Sequence, residues 1–284
     1  MEIVEITAKR ISASLSEIPQ PPKKLWMAGT LPPAGTKYLC VVGSRALTPY
    51  GREMTTRLIS GLSGYPISIV SGLALGADSV AHRAALSAGL HTIAIPGSGL
   101  SENAISPRSN VGLAKDIVAS GGLLLSEHPP EYLPHPYDFP SRNRIMVGMS
   151  DAVLMIEAGE KSGSLISARL AGEYGRELLC IPHRIGDANG FGSHLFLRLG
   201  ATLVTESSHI LEALRLSPTE VKTAHLPLLD QNELHIWSLL ETPQSKADLI
   251  RIAGYSASDM ITLLVTLELK GMAKEEYGLW RRVF

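Results

Sequence analysis

The stretch Tyr38-Leu39-Cys40-Val41-Val42, then Gly43-Ser44-Arg45, then Ala46-Leu47-Thr48-Pro49-Tyr50-Gly51 decides the fold. Five apolar residues without a charge suit a strand buried on both faces, as in a parallel sheet. An apolar-periodic run follows through Leu62, and Pro49 suits its first helical turn, where a missing N–H costs nothing. Between strand and helix lies a turn of small residues with one arginine. Glycine lets backbone approach an anion there, the N–H groups of the next helix point toward it, and arginine adds a fixed fork of donors. The turn can receive a phosphate; a plain strand-to-helix connection with a solvated arginine fits the same residues.

The alternation continues outward from this unit. Strand patterns at 38–42, 67–70, 91–95, 123–125, 152–156, 178–181 and 202–204 are interleaved with helix-period runs at 51–62, 78–87, 111–119, 142–149, 165–174 and 208–214. Parallel strands need long crossovers, so this regularity predicts an α/β fold: an extended Rossmann-like, mostly parallel sheet with helices on both faces, over residues 38–215. Ligands of such sheets bind beyond the carboxyl ends of the strands, where Gly43-Ser44-Arg45, Ser71-Gly72 and the loop from Glu157 to Ser164 would fall.

The flanks differ. Residues 1–37 read as a proline-rich extension, with Pro19, Pro21, Pro22, Pro32 and Pro33 around Leu25-Trp26-Met27, extended and packed on a neighbour through Trp26. Residues 216–227 form an aperiodic linker. Residues 228–284 change character: three helical patterns at 231–240, 246–253 and 257–270 precede two short strands around a Tyr277-Gly278 turn, which describes a small winged-helix-like domain. Many such modules read a DNA groove with the third helix. Asp259 and Glu268 on that helix match phosphate poorly, which favours a protein contact or a structural role.

Of the 284 residues, 45% are apolar and 19% charged, which excludes a disordered chain. With 26 basic and 27 acidic residues the net charge is −1, so any nucleic-acid binding must come from a local cluster. Cys40 and Cys180 sit in apolar runs and read as core fillers. No membrane-length apolar stretch or signal peptide is evident, and the expected location is cytoplasmic. No cofactor is expected.

Three further loops carry candidate chemistry. Ser71 to Asp78 supplies glycines ahead of a helix, with Asp78 as a candidate cap and His82 in a surface or capping position. Phe139-Pro140-Ser141-Arg142-Asn143-Arg144 puts two arginines at a helix start, and Phe139 and Tyr137 could offer faces for a base to stack on. Glu157 to Leu165 carries Lys161, Ser162, Gly163 and Ser164 at another helix start without the G-x-x-x-x-G-K-[ST] spacing, which disfavours a nucleotide triphosphatase. His128 and His135, with Glu127 and Glu131, match no metal-ligand spacing. No nucleophile elbow, Cys/His pair or two-metal carboxylate cluster is present, and Glu157 is the carboxylate best placed as an acid or base.

Together these motifs carry a resemblance. Val-Gly-Ser-Arg at 42–45, Ser-Gly-Leu-Ala-x-Gly-x-Asp with His82 at 71–82, Ser-Glu at 126–127, Phe-Pro-x-Arg-Asn-Arg-Ile at 139–145 and Glu-Ala with Ser-Gly-Ser-Leu at 157–165 resemble the DprA/Smf DNA-processing family, and Gly175-Arg176-Glu177 with Ile181-Pro182 fits the same pattern. The resemblance implies a Rossmann-like, non-catalytic protein that binds single-stranded DNA, forms a homodimer and helps load the RecA recombinase in natural transformation or recombination. Carried over by motif, the phosphate pocket uses Gly43, Ser44, Arg45, Gly72, Arg142, Asn143, Arg144, Ser162, Gly163 and Ser164. Lys161 is added from its position alone. The sequence departs from the pattern in lacking the usual N-terminal helical domain, in Ile105-Ser106-Pro107 where an aromatic precedes the proline, and in Ile181-Pro182-His183-Arg184 where Pro-Gly is usual. Two other functions stay open: a LOG-like nucleotide-processing enzyme using Glu157, whose Pro-Gly-Gly-x-Gly-Thr loop is not reproduced here, and a nucleotide-sensing adaptor.

Overall fold

A computed structural model of the chain describes residues 2–217, 229–276 and 278–282. All but the first two residues of the expected linker lie outside the described residues, as do Tyr277 of the expected turn and the terminal Val283-Phe284. The chain divides into two compact units, Met1–Thr219 and Glu220–Phe284.

The first unit begins with β1 (Val4–Ile6), α1 (Ala8–Ile11), β2 (Leu25–Gly29), β3 (Lys37–Val42), α2 (Pro49–Ser60), β4 (Ile67–Ser71), α3 (Ala77–Ser87), β5 (His91–Ala94), α4 (Val111–Ala119) and β6 (Leu123–Ser126). It continues with α5 (Asp138–Ser141), α6 (Asn143–Met149), β7 (Ala152–Met155), α7 (Ser164–Glu173), β8 (Glu177–Cys180), α8 (Phe191–Arg198), β9 (Thr202–Leu203) and α9 (Ser207–Ala213). Nine strands form one sheet in the order β1-β2-β6-β5-β4-β3-β7-β8-β9. From β6 to β9 neighbours run parallel, while β2 lies antiparallel to β6 and β1 antiparallel to β2.

Alternate residues of the central strands feed different cores, which is why their sequences are apolar throughout. Cys40, Val42, Val153 and Met155 pack with Ile145 and Met149 of α6 and Ala168 of α7. Leu39, Val41, Ile69 and Leu154 pack with Leu58 and Ile59 of α2 and Ala81 of α3 on the other face. The proline-rich lead, read from sequence as a separate extension, joins this sheet. Its prolines stop short of residues 25–29, so β2 keeps its donors, buries Leu25 and Met27, and pairs Trp26 with Ser126.

The second unit contains α10 (Gln231–Leu239), β10 (Gln244–Ser245), α11 (Lys246–Ala253), α12 (Ala257–Leu269), β11 (Ala273–Glu276) and β12 (Leu279–Arg282), with the strands antiparallel in the order β10-β12-β11. A capping box between Asp230 and Glu233 starts α10, serine caps start α11 and α12, and Gly254 at φ 73° ends α11. Ile236, Leu249, Met260, Leu264 and Trp280 give this unit a core of its own. Among the described residues no single helix is long and apolar enough to cross a membrane.

Candidate nucleic-acid interface

Strand order places the site. The chain lays β4, β5 and β6 on one side of β3 and β7, β8 and β9 on the other, so the order reverses between β3 and β7. In open α/β sheets that reversal leaves a crevice beyond the carboxyl ends of the two strands. The register Val42↔Met155 brings the loops after β3 and β7 out side by side. Only glycine fits at 43, since a Cβ there would lie 2.7 Å from the Cβ of Ala77. A cavity of about 890 Å³ opens between these loops.

Most of the residues expected from sequence meet here. Gly43, Ser44 and Arg45 line the cavity from one loop, Arg142 and Asn143 from the start of α6, and Lys161, Ser162, Gly163 and Ser164 from the start of α7. Ser162 and Ser164 share a hydroxyl–hydroxyl bond of 2.6 Å at the positive end of the α7 dipole. Gly72 and Arg144 stand outside the lining. Gly72 lies behind Arg142, where a Cβ would fall 1.8 Å from the guanidinium Nη1. Arg144 is turned to Glu127, donating from Nη2 to Oε1 at 2.6 Å.

The arginines at the cavity differ in kind. Arg142 is 8% exposed, and its Nη1 donates to the carbonyls of Gly72 and Ile95. Its Nε donates to Asn143 Oδ1 at 3.1 Å, and Nη2 lies 3.6 Å from Asp78 Oδ2. Burial pushes its pKa down, opposed by the Asp78 carboxylate. Arg45 is exposed, with its guanidinium carbon 5.3 Å from the centroid of the Phe139 ring. Among the described residues neither Arg45 nor Lys161 has a carboxylate partner. Formal charges on the lining are therefore Arg45, Arg142 and Lys161 against Asp78.

The loop from Ser71 to Asp78 is held from inside. Asp78 accepts from the N–H of Gly72 at 3.0 Å and of Ala74 at 3.2 Å, so it ties the loop down where the sequence suggested a helix cap. Burial raises its pKa, and Arg142 is the largest opposing influence. Leu73 adopts φ 58°, a rare conformation for a branched residue, and Asn110 Nδ2 donates to its carbonyl at 2.8 Å. Asn110 was not singled out in the sequence, because an asparagine far along the chain carries no local signal. His82 is fully buried, with Nδ1 2.7 Å from Thr92 Oγ1, in place of the surface or capping position expected. Its pKa falls to about 3 through burial and then the charge of Arg142, so the ring is neutral at pH 7.

Glu157 is 1% exposed and fully engaged: Oε1 accepts from the Thr48 hydroxyl, and Oε2 accepts from the Thr48 N–H at 3.1 Å and Asn189 Nδ2 at 3.0 Å. Thr48 in turn caps α2, accepting from the Gly51 N–H at 3.0 Å. Tyr137 is 65% exposed and its ring stacks on His135, while His128 stacks on Tyr132 with centroids 4.1 Å apart. Among the described residues no group of three or more His, Cys, Asp or Glu side chains could hold a metal ion.

The sequence and fold are similar to those of known proteins. Residues 2–215 match the family described as DNA recombination-mediator protein A. The chain belongs to that family. Protein Smf of Escherichia coli (strain K12) is 38% identical over 259 residues, spanning 88% of this chain and 69% of that protein. The structure of DNA processing protein A from Streptococcus pneumoniae is similar at a TM-score of 0.70 and 37% identity, covering 75% of this chain and 74% of that one. The Helicobacter pylori DNA processing protein A, whose structure is described for its single-stranded DNA binding mode, reaches a TM-score of 0.66 at 30% identity, covering 76% of this chain and 96% of that one. The match to the recombination-mediator family ends before the second unit begins.

Proposed function

We propose that this member of the recombination-mediator family binds single-stranded DNA without cutting it, anchoring phosphates in the cavity at the switch point between β3 and β7. The observation that carries the reading is Arg45, an unpaired guanidinium held over Phe139 at a cavity whose formal charge is positive. Its fork suits a phosphate, and Phe139 and Tyr137 suit unstacked bases, a pairing that tolerates any sequence. The bonds that occupy Glu157 support a non-catalytic role and weigh against a nucleotide hydrolase built on that carboxylate.

One cavity holds few phosphates. A homodimer would offer two to one strand and raise avidity by ~10²-fold or more where the strand spans both. Exposed apolar residues at the sheet edge support this: Leu203 on the edge strand β9 is 48% exposed, and Leu199, at the end of α8, is 71% exposed. The family's description as a recombination mediator supports a cytoplasmic role in which the bound strand is handed to RecA during transformation or recombination. In the second unit, the order of three helices and three short strands supports a winged-helix module. Ile261, Val265 and Leu269, exposed along α12, favour protein contact over groove reading.

Fluorescence anisotropy with a labelled oligothymidine and a matched duplex, across a salt series, tests the reading. The wild type is expected to prefer the single strand, and Arg45→Ala to weaken binding and flatten the log-salt slope by about 0.7. Equal affinity for both DNAs would sink it.

A further inference from the structure

Beside the cationic cavity lies a second pocket of about 750 Å³ that the reading above leaves unused. The two meet at Asn189, which lines both, and share the loop after β3 as a wall, with Ala46 on the cavity side and Thr48 on the pocket side. Flat groups make up much of the pocket: Pro49, Tyr50, Pro182 and His183. They are set in place by one another. The Tyr50 and His183 rings meet edge to face with centroids 5.4 Å apart, the Tyr50 hydroxyl donates to the Pro182 carbonyl at 2.8 Å, and His183 Nε2 lies 2.8 Å from the Ile156 carbonyl.

Charge separates the two spaces. Arg45, Arg142 and Lys161 outweigh Asp78 in the cavity, whereas Glu157 and Asp187 outweigh Arg184 in the pocket when histidine is counted neutral. A phosphate is drawn to the first and repelled from the second. What the pocket suits is a flat, uncharged group that donates hydrogen bonds, because ionised carboxylates only accept them. Among the described residues none donates to the exposed Asp187 carboxylate.

We propose that this pocket is a base subsite for the strand anchored next door, and that it favours bases with an exocyclic amine over thymine. The inference rests on the single-strand reading. A base entering from the Asn189 side would lie against the Tyr50 and His183 rings with its edge toward Asp187. Cytosine offers its N4 amine there, while thymine presents the O4 acceptor and a methyl group.

The test is anisotropy with labelled cytidine and thymidine deoxy-decamers at one pH and salt, using wild type, Asp187→Ala, Ala188→Trp and Arg45→Ala. Asp187 and Ala188 are exposed and the Asp187 side chain makes no cap bond to the short helix it precedes, so both substitutions leave folding intact. The wild type is expected to bind the cytidine strand about tenfold more tightly, the lower end of what one hydrogen bond to a charged group contributes. Asp187→Ala brings the ratio near one, Ala188→Trp fills the pocket and does the same, and Arg45→Ala weakens both strands while keeping the ratio. A wild type that binds both strands equally, or a ratio that survives both pocket substitutions, overturns the subsite alone. Failure of the wild type to bind either strand overturns the single-strand reading and the subsite with it.

Discussion

The two walls of the cavity use the same residue type for opposite purposes. On one wall Arg142 is buried, bonded to two carbonyls and set against Asp78, and Asn110 and Asp78 pin the loop it supports. On the other, Arg45 and Lys161 are exposed and without carboxylate partners among the described residues. An arginine buried and held by the protein's own acceptors builds the site; one exposed and without them can fill it. The motif Arg-Asn-Arg therefore contributes to shape more than to attraction, since Arg144 is likewise turned inward, its Nη2 donating to Glu127 while its buried Nη1 has no hydrogen-bond partner among the described residues.

The sharpest way to break this contrast is Arg142→Ala. It leaves Asp78 buried without its cation and two carbonyls without a donor, a class of change that costs about 3–5 kcal/mol. Arg45→Ala, at an exposed position, should stay within about 0.5 kcal/mol of wild type. Chemical denaturation of both variants decides it, and equal destabilisation would end the distinction between the walls.

The buried wall also predicts a pH dependence. The folded-state pKa of His82, about 3, lies below the ordinary value of 6.5, so the unfolded chain takes up a proton first as pH falls. Stability contributed by the neutral ring is complete above pH 6.5 and declines from there toward pH 3, by on the order of 1 kcal/mol per pH unit. His82→Gln removes that share, so its unfolding free energy should fall less steeply than wild type between pH 6.5 and 4. Parallel curves would show that His82 already titrates in the folded protein.

At the open wall the expected effect is on binding. Arg45→Ala should lower single-strand affinity about tenfold, as loss of one charged contact does, while leaving the melting transition in place. A loss of affinity that tracks a loss of stability would move Arg45 into the same class as Arg142.

The sequence showed where the loops would gather and not which side chains stay free within them. Strand–helix alternation and small-residue turns are local signals, so the sheet edge and most of its lining could be read from them. Whether an arginine is buried depends on what the fold brings against it, and Ile95 and Asp78 lie 47 and 64 positions from Arg142 in the chain. β2 was hidden for a related reason: five residues between prolines read as a lead until β6 supplies the partner strand. Asn189, shared by both pockets, sits in a one-turn helix, Ala188–Gly190, after β8 with no motif around it.

Lys161 offers the finest test, because its place in the site came from position and from no motif. It is exposed and lines the cavity, but its ammonium is a point charge on a flexible stem, whereas Arg45 is a planar fork held over a ring. Lys161→Ala should therefore cost only about two- to threefold in affinity while flattening the salt slope by about 0.7, as much as Arg45→Ala does. Affinity reports how well a contact is organised; the slope reports how many phosphates are neutralised. A small loss with the full change in slope would make Lys161 a loose phosphate contact. An unchanged slope would confine the anchoring charge to Arg45 and leave Lys161 a solvated residue at the rim.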